Sequence, residues 1–300
     1  MSDVTVVVVH WNVPELLRSC LRSIAGERAR SSLAVETIVV DAASPVSAFR
    51  EVVASFSHVS LIELSENRGF AAGCNAGIER GSGAALLLLN ADVELAPGAL
   101  DALWQGLWVS AHVGMVAPLL LNADGSLQSA GYRFPGVANV IFDLFSLPAR
   151  LAESPLNGRV PVGDGEQPVK IDYPLGAAMM ARRDAIEDVG PLDESYVMYS
   201  EEIDWARRFA ERDWTTLLVP RARVTHHRGG STSQRPAAMR EALWLSRARY
   251  HERWATPRQR RLIAAAVRLG TRLDDRRASS ERRTVNARIR DRFAVDRHGL

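Results

Sequence analysis

Leu86–Leu95 reads LLLLNADVEL, four leucines running straight into Asn90-Ala91-Asp92. A short, unbroken apolar run bounded by turn-forming residues fits a strand buried on both faces. Strands of that kind belong to parallel sheets covered by helices. The abrupt polar end is then either a simple turn or the ligand-facing tip of the strand.

The flanking sequence alternates between two periodicities. Thr5–Val9 is a β-branched run, so a buried strand. Pro14–Ile24 places Leu16, Leu17, Cys20, Leu21 and Ile24 on one helical face, with Pro14 suited to a helix start. Glu36–Asp41 and Val59–Leu64 read as strands, with a helix over Val46–Phe56 between them. A small-residue helix over Gly69–Arg80 precedes the strand Ala84–Leu89. Pro97–Trp108 reads as helix and Val113–Leu121 as strand. This order predicts right-handed βαβ units and a mainly parallel sheet. Leu147–Gln167 is rich in Pro and Gly and reads as a mobile loop. Ser200–Arg212 reads as helix and Thr215–Val219 as strand. From Arg235 the pattern is helical, broken at Pro257, with disorder expected over part of Ala278–Leu300.

In such a sheet, ligands bind beyond the carboxyl ends of the strands. The first four strands end in His10-Trp11-Asn12, Asp41, Glu66-Asn67 and Asn90-Ala91-Asp92. Polar groups gathered at one edge predict a binding crevice.

Composition fits an ordinary globular protein, with 47% apolar and 24% charged residues over 300 positions. The net charge of +2 hides an asymmetry. Arg247–Leu300 holds sixteen arginines against six acids, so an acidic body carries a basic tail. Apolar runs are too short for a membrane span, and the first residues lack a basic signal-peptide region, so a cytoplasmic location is expected. Cys20 and Cys74 show no redox or metal spacing and read as core residues. HWNVPELL follows the first strand in place of a G-x-G-x-x-G fingerprint, which disfavours a dehydrogenase; a P-loop is absent too.

The blocks VVVVHWN, IVVDAAS, ENRGFAAGCNAGI, LLLLNADVEL, GAAMMARRDAIEDVGPLDESYVMYSEEIDWARRFAERDW and VPRARVTHH occur in that order from about residue 4 to 230. Together they resemble family-2 glycosyltransferases of the GT-A type, in the rhamnosyltransferase-like branch. The resemblance implies a GT-A, Rossmann-like α/β fold: a mainly parallel mixed sheet flanked by helices, with a C-terminal helical extension. It implies a catalytic domain over 1–234, with a nucleotide-sugar half to about 122 and an acceptor half over 123–234. Residues 235–300 form the extension.

The implied reaction moves a sugar from a nucleoside diphosphate to an acceptor hydroxyl with inversion. The branch suggests L-rhamnose from a dTDP-linked donor and a cell-envelope or lipid-linked glycan acceptor. Two alternatives stay open: a UDP-hexose transferase, and a relative that binds nucleotide sugar or glycan without turnover. Asn90-Ala91-Asp92 stands at the family's D-x-D element, so Asp92 would bind Mg2+ or Mn2+ held between two phosphates, where a hard dication offsets developing charge. His226 would complete that site, although His227 is adjacent. Asp41 would accept a hydrogen bond from the imide N–H of uracil or thymine; a turn Asp before Ser44-Pro45 is the plainer reading. His10, Trp11 and Asn12 would line the base, His10 alone reading as a packed histidine. Asn67, Arg68, Gly69 and Asn75 would touch the nucleotide, Arg68 balancing diphosphate charge. Gly73 and Gly77 suit close helix packing.

Tyr199-Ser200-Glu201-Glu202-Ile203-Asp204 stands where the family has Glu-Asp-x-Asp. An inverting transfer needs a base to take the acceptor proton. By position this is Glu202, with Glu201 as alternative; two acids at a helix start also suit the macrodipole. Asp204 is expected to pair with Arg207 and Arg208. Gly176, Asp193 and Tyr199 match the acceptor side, with Asp193 equally suited to capping a turn. The basic tail has three readings: a peripheral contact with anionic membrane through Pro257–Arg277, packing on the body, or a homodimer contact. Nucleic acid is not expected as a partner, because no recognition motif accompanies the charge.

Overall fold

The computed structural model describes residues 2–145, 149–152, 154–161, 166–227 and 236–294. The first half follows the sequence pattern closely. Strand β1 (Val4–His10) leads to helix α1 (Pro14–Arg30), then β2 (Val35–Asp41), α2 (Ala48–Ala54), β3 (Val59–Glu63), α3 (Phe70–Arg80) and β4 (Ala85–Asn90). A short β5 (Val93–Leu95), α4 (Ala99–Leu107) and β6 (Val113–Leu121) complete that half. Next come β7 (Leu127–Gln128), β8 (Gly131–Tyr132), α5 (Val137–Leu144), α6 (Ala149–Ala152) and a 3-10 turn at Pro155–Asn157. The expected loop over Leu147–Gln167 thus contains short helical pieces; residues 146–148, 153 and 162–165 lie outside the described residues.

The second half holds β9 (Val169–Ile171), β10 (Tyr173–Pro174), β11 (Ala178–Arg182), α7 (Arg183–Val189), α8 (Glu201–Glu211) and β12 (Thr215–His226). Three helices follow: α9 (Pro236–Trp254), α10 (Pro257–Asp275) and α11 (Ser280–Arg292). Of the stretch Ala278–Leu300, part of which was expected to be disordered, Ser280–Arg292 forms α11. Ser279 caps α11, its side chain accepting from the Arg282 amide at 3.3 Å, and Val285 and Ile289 are buried. Residues 295–300 lie outside the described residues.

The main sheet runs β3-β2-β1-β4-β11-β6-β12-β5, with β7 beside β6 and β9 beside β12. β1 to β4 are mutually parallel. The order reverses between β1 and β4, the switch point where open α/β sheets bind ligands. Register pairs His10 with Asp41 and Val9 with Asn90, so these polar tips share one edge. Strand β11 was not apparent in the sequence. It inserts antiparallel between β4 and β6, and starts at the edge where its parallel neighbours end. β12 extends seven residues beyond the expected Val219, with a register shift across Pro220, which has no N–H for the ladder.

Leu87 and Leu89 pack into one apolar cluster with Leu17, Leu21 and Leu103. Leu86 and Leu88 pack into another with Phe70, Ile78, Trp205 and Phe209. All four leucines are buried because helices cover both faces. Gly73 and Gly77 let α3 lie on β1: a Cβ there would stand 2.7 Å from Val9 Cγ1 and 2.2 Å from Val7 Cγ1. A third cluster joins Val140 of α5 to Trp244, Ile263, Val267, Val285 and Ile289 of the last three helices. The extension therefore has its own core, shared with α5 from the body.

Candidate active site

Asp92 follows β4 at the turn into β5, and His226 closes β12. Antiparallel pairing of β12 with β5 sets His226 opposite Val93, which brings its ring beside Asp92. His226 Nε2 lies 3.5 Å from Asp92 Oδ1. The side chains are 11% and 12% exposed, and the Gln128 amide stands 3.2 Å from His226 Nδ1. The His227 backbone N–H donates to the Asp92 carbonyl at 2.9 Å, but its ring turns to Glu94 Oε1 at 2.7 Å. The two histidines are thereby separated: His226 faces Asp92 and His227 does not. A carboxylate oxygen and an imidazole nitrogen side by side suit a dication that takes its other ligands from a diphosphate. No group of three or more His, Cys, Asp or Glu placed to hold a metal occurs among the described residues.

Asp41 is buried and meets three protein donors. His10 Nδ1 lies 2.8 Å and the Ser44 hydroxyl 2.6 Å from Oδ1, and the Ser44 amide donates to Oδ2 at 2.8 Å. Burial pushes this carboxyl up, but the hydrogen bonds from His10 and Ser44 outweigh it and hold it below its ordinary range. The Val13 N–H points at His10 Nε2, 3.1 Å away. A backbone N–H only donates, so Nε2 accepts and the ring proton sits on Nδ1, facing Asp41. His10 is thus a packed, neutral histidine that orients Asp41. Trp11 and Asn12 form the half-buried turn beyond it, Asn12 at φ +55° with its amide on Ser44 Oγ.

The second acidic centre starts α8. Tyr199 and Ser200 both sit at φ +67°, a strained conformation for residues with side chains, and turn the chain so that Glu201 and Glu202 open the helix. Both acids are buried, and Oε2 of each has no hydrogen-bond partner among the described residues. The charge of Glu201 is felt at Cys74, in α3 under the sheet. Glu202 lies against Gly176, where a Cβ would stand 3.4 Å from its Cγ. Desolvation pushes Glu202 up to about 7, against the opposing pull of nearby backbone amides and Arg247. Glu201 is driven up by burial and by the charge of Glu202. A buried carboxyl with one open oxygen, poised near neutrality, is a ready proton acceptor.

Other expected contact residues are engaged by protein groups. Arg68 meets Glu194 at 2.5 Å. Asn75 donates to Leu192 O and Glu194 Oε1 and accepts from the Leu192 amide. Asn67 accepts from the Gly69 amide at 3.0 Å. Arg68 and Asn75 tie α3 and its lead-in to the 190–197 loop, while the Asn67 bond is local. Gly69 is required there: it sits at φ +92°, and a Cβ would stand 1.8 Å from the Val197 carbonyl oxygen. Asp193 caps a turn through the Ser195 amide and approaches Arg249 and Arg253 at 3.5 Å. Asp204 pairs with Arg208 at 3.0 Å, whereas Arg207 pairs with Glu211 instead, a correction to the expected Asp204–Arg207 contact. Asn90 and Ala91 are held by backbone bonds to Ala177 and Val9. Ser44, Gln128 and Arg247 were not foreseen. The Asp41-x-x-Ser44 spacing is a local turn signal, whereas Gln128 and Arg247 reach the site from distant segments.

Residues 5–111 match the family model described as glycosyl transferase family 2. Over those residues the chain resembles a family-2 glycosyltransferase domain, and along most of its length it is similar to a rhamnosyltransferase. An N-acetylglucosaminyl-diphospho-decaprenol L-rhamnosyltransferase from Mycobacterium tuberculosis is 26% identical over 274 residues, spanning 85% of this chain and 87% of the relative. Among solved structures, the Pyrobaculum calidifontis mannosyltransferase PcManGT, in complex with GDP-Man and Mn2+, matches with a TM-score of 0.58 and 18% identity over 98% of this chain and 86% of that one. GalNAc-T7 with UDP, GalNAc and Mn2+ matches at TM-score 0.58 and 17% identity, over 76% of this chain and 43% of that chain. The GT-A fold of this chain agrees with both.

Proposed function

We propose that this protein is a family-2 glycosyltransferase, a metal-dependent, inverting enzyme that moves L-rhamnose from a dTDP-linked donor to a hydroxyl of a cell-envelope or lipid-linked glycan. The observation that carries the reading is the Asp92–His226 pair, 3.5 Å apart at the switch point of the sheet although 134 positions separate the residues. The name of the mycobacterial relative supports the sugar and the lipid-linked acceptor.

Asp92 and His226 are the residues that would hold Mg2+ or Mn2+, which on binding offsets the charge gained by the leaving diphosphate. Asp41, kept ionised by His10 and Ser44, has room on Oδ2 for one more donor, which we assign to the imide N–H of thymine or uracil. Trp11 supplies an apolar face beside the base. Glu202 takes the proton from the acceptor hydroxyl as that oxygen attacks the anomeric carbon. Gly176 lines the approach to Glu202, and its lack of a side chain leaves that approach open to the acceptor. Arg68, Gly69 and Asn75 shape the donor side by fixing the 190–197 loop, with Asn67 holding the Gly69 amide.

Calorimetric titration with dTDP-rhamnose, UDP-glucose and UDP-galactose, each with and without Mg2+ or Mn2+, tests this. Binding of dTDP-rhamnose that strengthens with metal is the expected result. Tighter binding of a UDP-hexose would replace the rhamnose assignment, and no binding of any donor would overturn the enzyme reading.

A further inference from the structure

We propose that the outer face of α10 is a docking surface for an anionic lipid bilayer. The helix carries three distinct stripes. Ile263, Ala264, Val267, Gly270 and Thr271 are buried against the rest of the extension. Leu262, Ala266, Leu269 and Leu273, spaced four, three and four, align on a second face. Its leucines are 58%, 55% and 39% exposed, so this apolar stripe is not needed for the fold. Arg261, Arg268 and Arg272 align beside it, with Arg258 a turn before Leu262 and Arg276 just past the last turn.

Charge decides what covers the leucines. The acids of α10 are Asp274 and Asp275, and both face inward: Asp274 to Arg240 and Arg282 at 3.5 and 2.8 Å, Asp275 to Arg290 at 2.7 Å. Arg268 turns to the Phe293 carbonyl at 3.3 Å, and among the described residues Arg258, Arg261, Arg272 and Arg276 form no ion pair, so the outer face is basic and apolar. A second copy of the chain meeting this face about a two-fold axis would set arginine against arginine. An anionic bilayer offers what the face lacks: phosphates for the arginines and acyl chains for the leucines. No helix among the described residues is long and apolar enough to cross a membrane, so the contact is one of lying in the interface. The helix packs on α5 and α11, and α11 packs on α9, which carries Arg247, whose charge acts on Glu202. A bilayer bound here would lie beside the domain that holds the acidic centre.

Co-sedimentation of the full chain with phosphatidylglycerol vesicles and with phosphatidylcholine vesicles, at low and high salt, tests the surface without turnover. It is therefore independent of the transferase assignment. The expected result is at least about tenfold stronger partitioning to the anionic vesicles, weakened by salt. Leu262→Ser/Leu269→Ser/Leu273→Ser should lose about tenfold or more of it while keeping the native circular dichroism and melting transition. Arg258→Glu/Arg261→Glu/Arg272→Glu should abolish the preference for anionic lipid. Equal binding of the leucine variant, or no binding by the unaltered chain, would overturn the proposal. So would a dimer in light scattering that the leucine variant converts to monomer, because the stripe would then be a self-interface.

Discussion

The indole Nε1 of Trp254, at the end of α9, donates to Oδ1 of Asp204 in α8 at 2.8 Å. Asp204 is fully buried, two positions after Glu202, and also meets Arg208 at 3.0 Å and Arg253 at 3.1 Å. One carboxylate thus pins the C-terminal extension to the helix that presents the proposed base. Trp254→Phe keeps an aromatic ring but removes the donor, which should cost about 1–3 kcal/mol because a buried acceptor loses a partner. Asp204→Asn should cost more, leaving Arg208 and Arg253 without their counter-charge. Urea unfolding measures both, and a Trp254→Phe variant as stable as the unaltered chain would show that the contact does not brace α8.

Gly69 is the point where α3 meets the loop leading to that helix. Gly69→Ala places a methyl group 1.8 Å from a backbone oxygen, at a φ of +92° that alanine rarely adopts. Backbone, unlike a side-chain tip, cannot swing aside cheaply, so the 190–197 loop has to move. A loss of roughly 1–3 kcal/mol is expected. Hydrogen exchange should locate the loosening between Leu192 and Tyr199. Unchanged protection there would mean that the loop shifts without cost.

The difference between what was legible and what was not follows the range of the interactions. The parallel half was readable because each strand is a local apolar run and each helix carries its own periodicity, from Val4 to Leu121. Asp92 stood out as an acid closing an apolar run, whereas Glu202 was singled out through the family resemblance. β11 was hidden because AMMAR is short and apolar without alternation, and its place between β4 and β6 depends on partners far away in sequence. Asn75 and Arg68 looked like ligand contacts because nothing local to them shows that Leu192 and Glu194 will arrive from more than 100 positions away. For the same reason Gln128 and Arg247 carried no signal at all.

The proposed metal site separates into a ligand and its support. Asp92→Ala removes the anionic donor and should abolish the metal dependence of donor binding. Gln128→Leu leaves Asp92 and His226 in place but removes the amide beside His226 Nδ1. A loss of roughly 10–100-fold in Mn2+ affinity is expected for such a supporting residue. Titration of Mn2+ into the protein, alone and with nucleoside diphosphate, reads both. Retained metal-dependent donor binding in Asp92→Ala would remove Asp92 from the site.

Glu202 makes a prediction with a definite sign. Its folded carboxyl titrates at about 7 against an ordinary value of 4.5, so the folded protein holds this proton more tightly than the unfolded chain. The associated stability is fully present below about pH 4.5 and is lost as pH rises through about 7. Above that pH the buried carboxylate costs the fold on the order of 3 kcal/mol. Glu202→Gln carries no such charge. Its melting temperature should exceed that of the unaltered chain at pH 8 and approach it at pH 5. The same ionisation that burdens the fold makes the base competent, so sugar transfer should rise with pH through about 7 in the unaltered chain. Glu202→Gln should bind donor nearly as well and fail to transfer. Stabilisation at pH 8 with normal turnover would keep Glu202 as a buried acid but move the base role to Glu201. Absence of any pH-dependent stabilisation would mean that Glu202 is not held in the desolvated setting described for it.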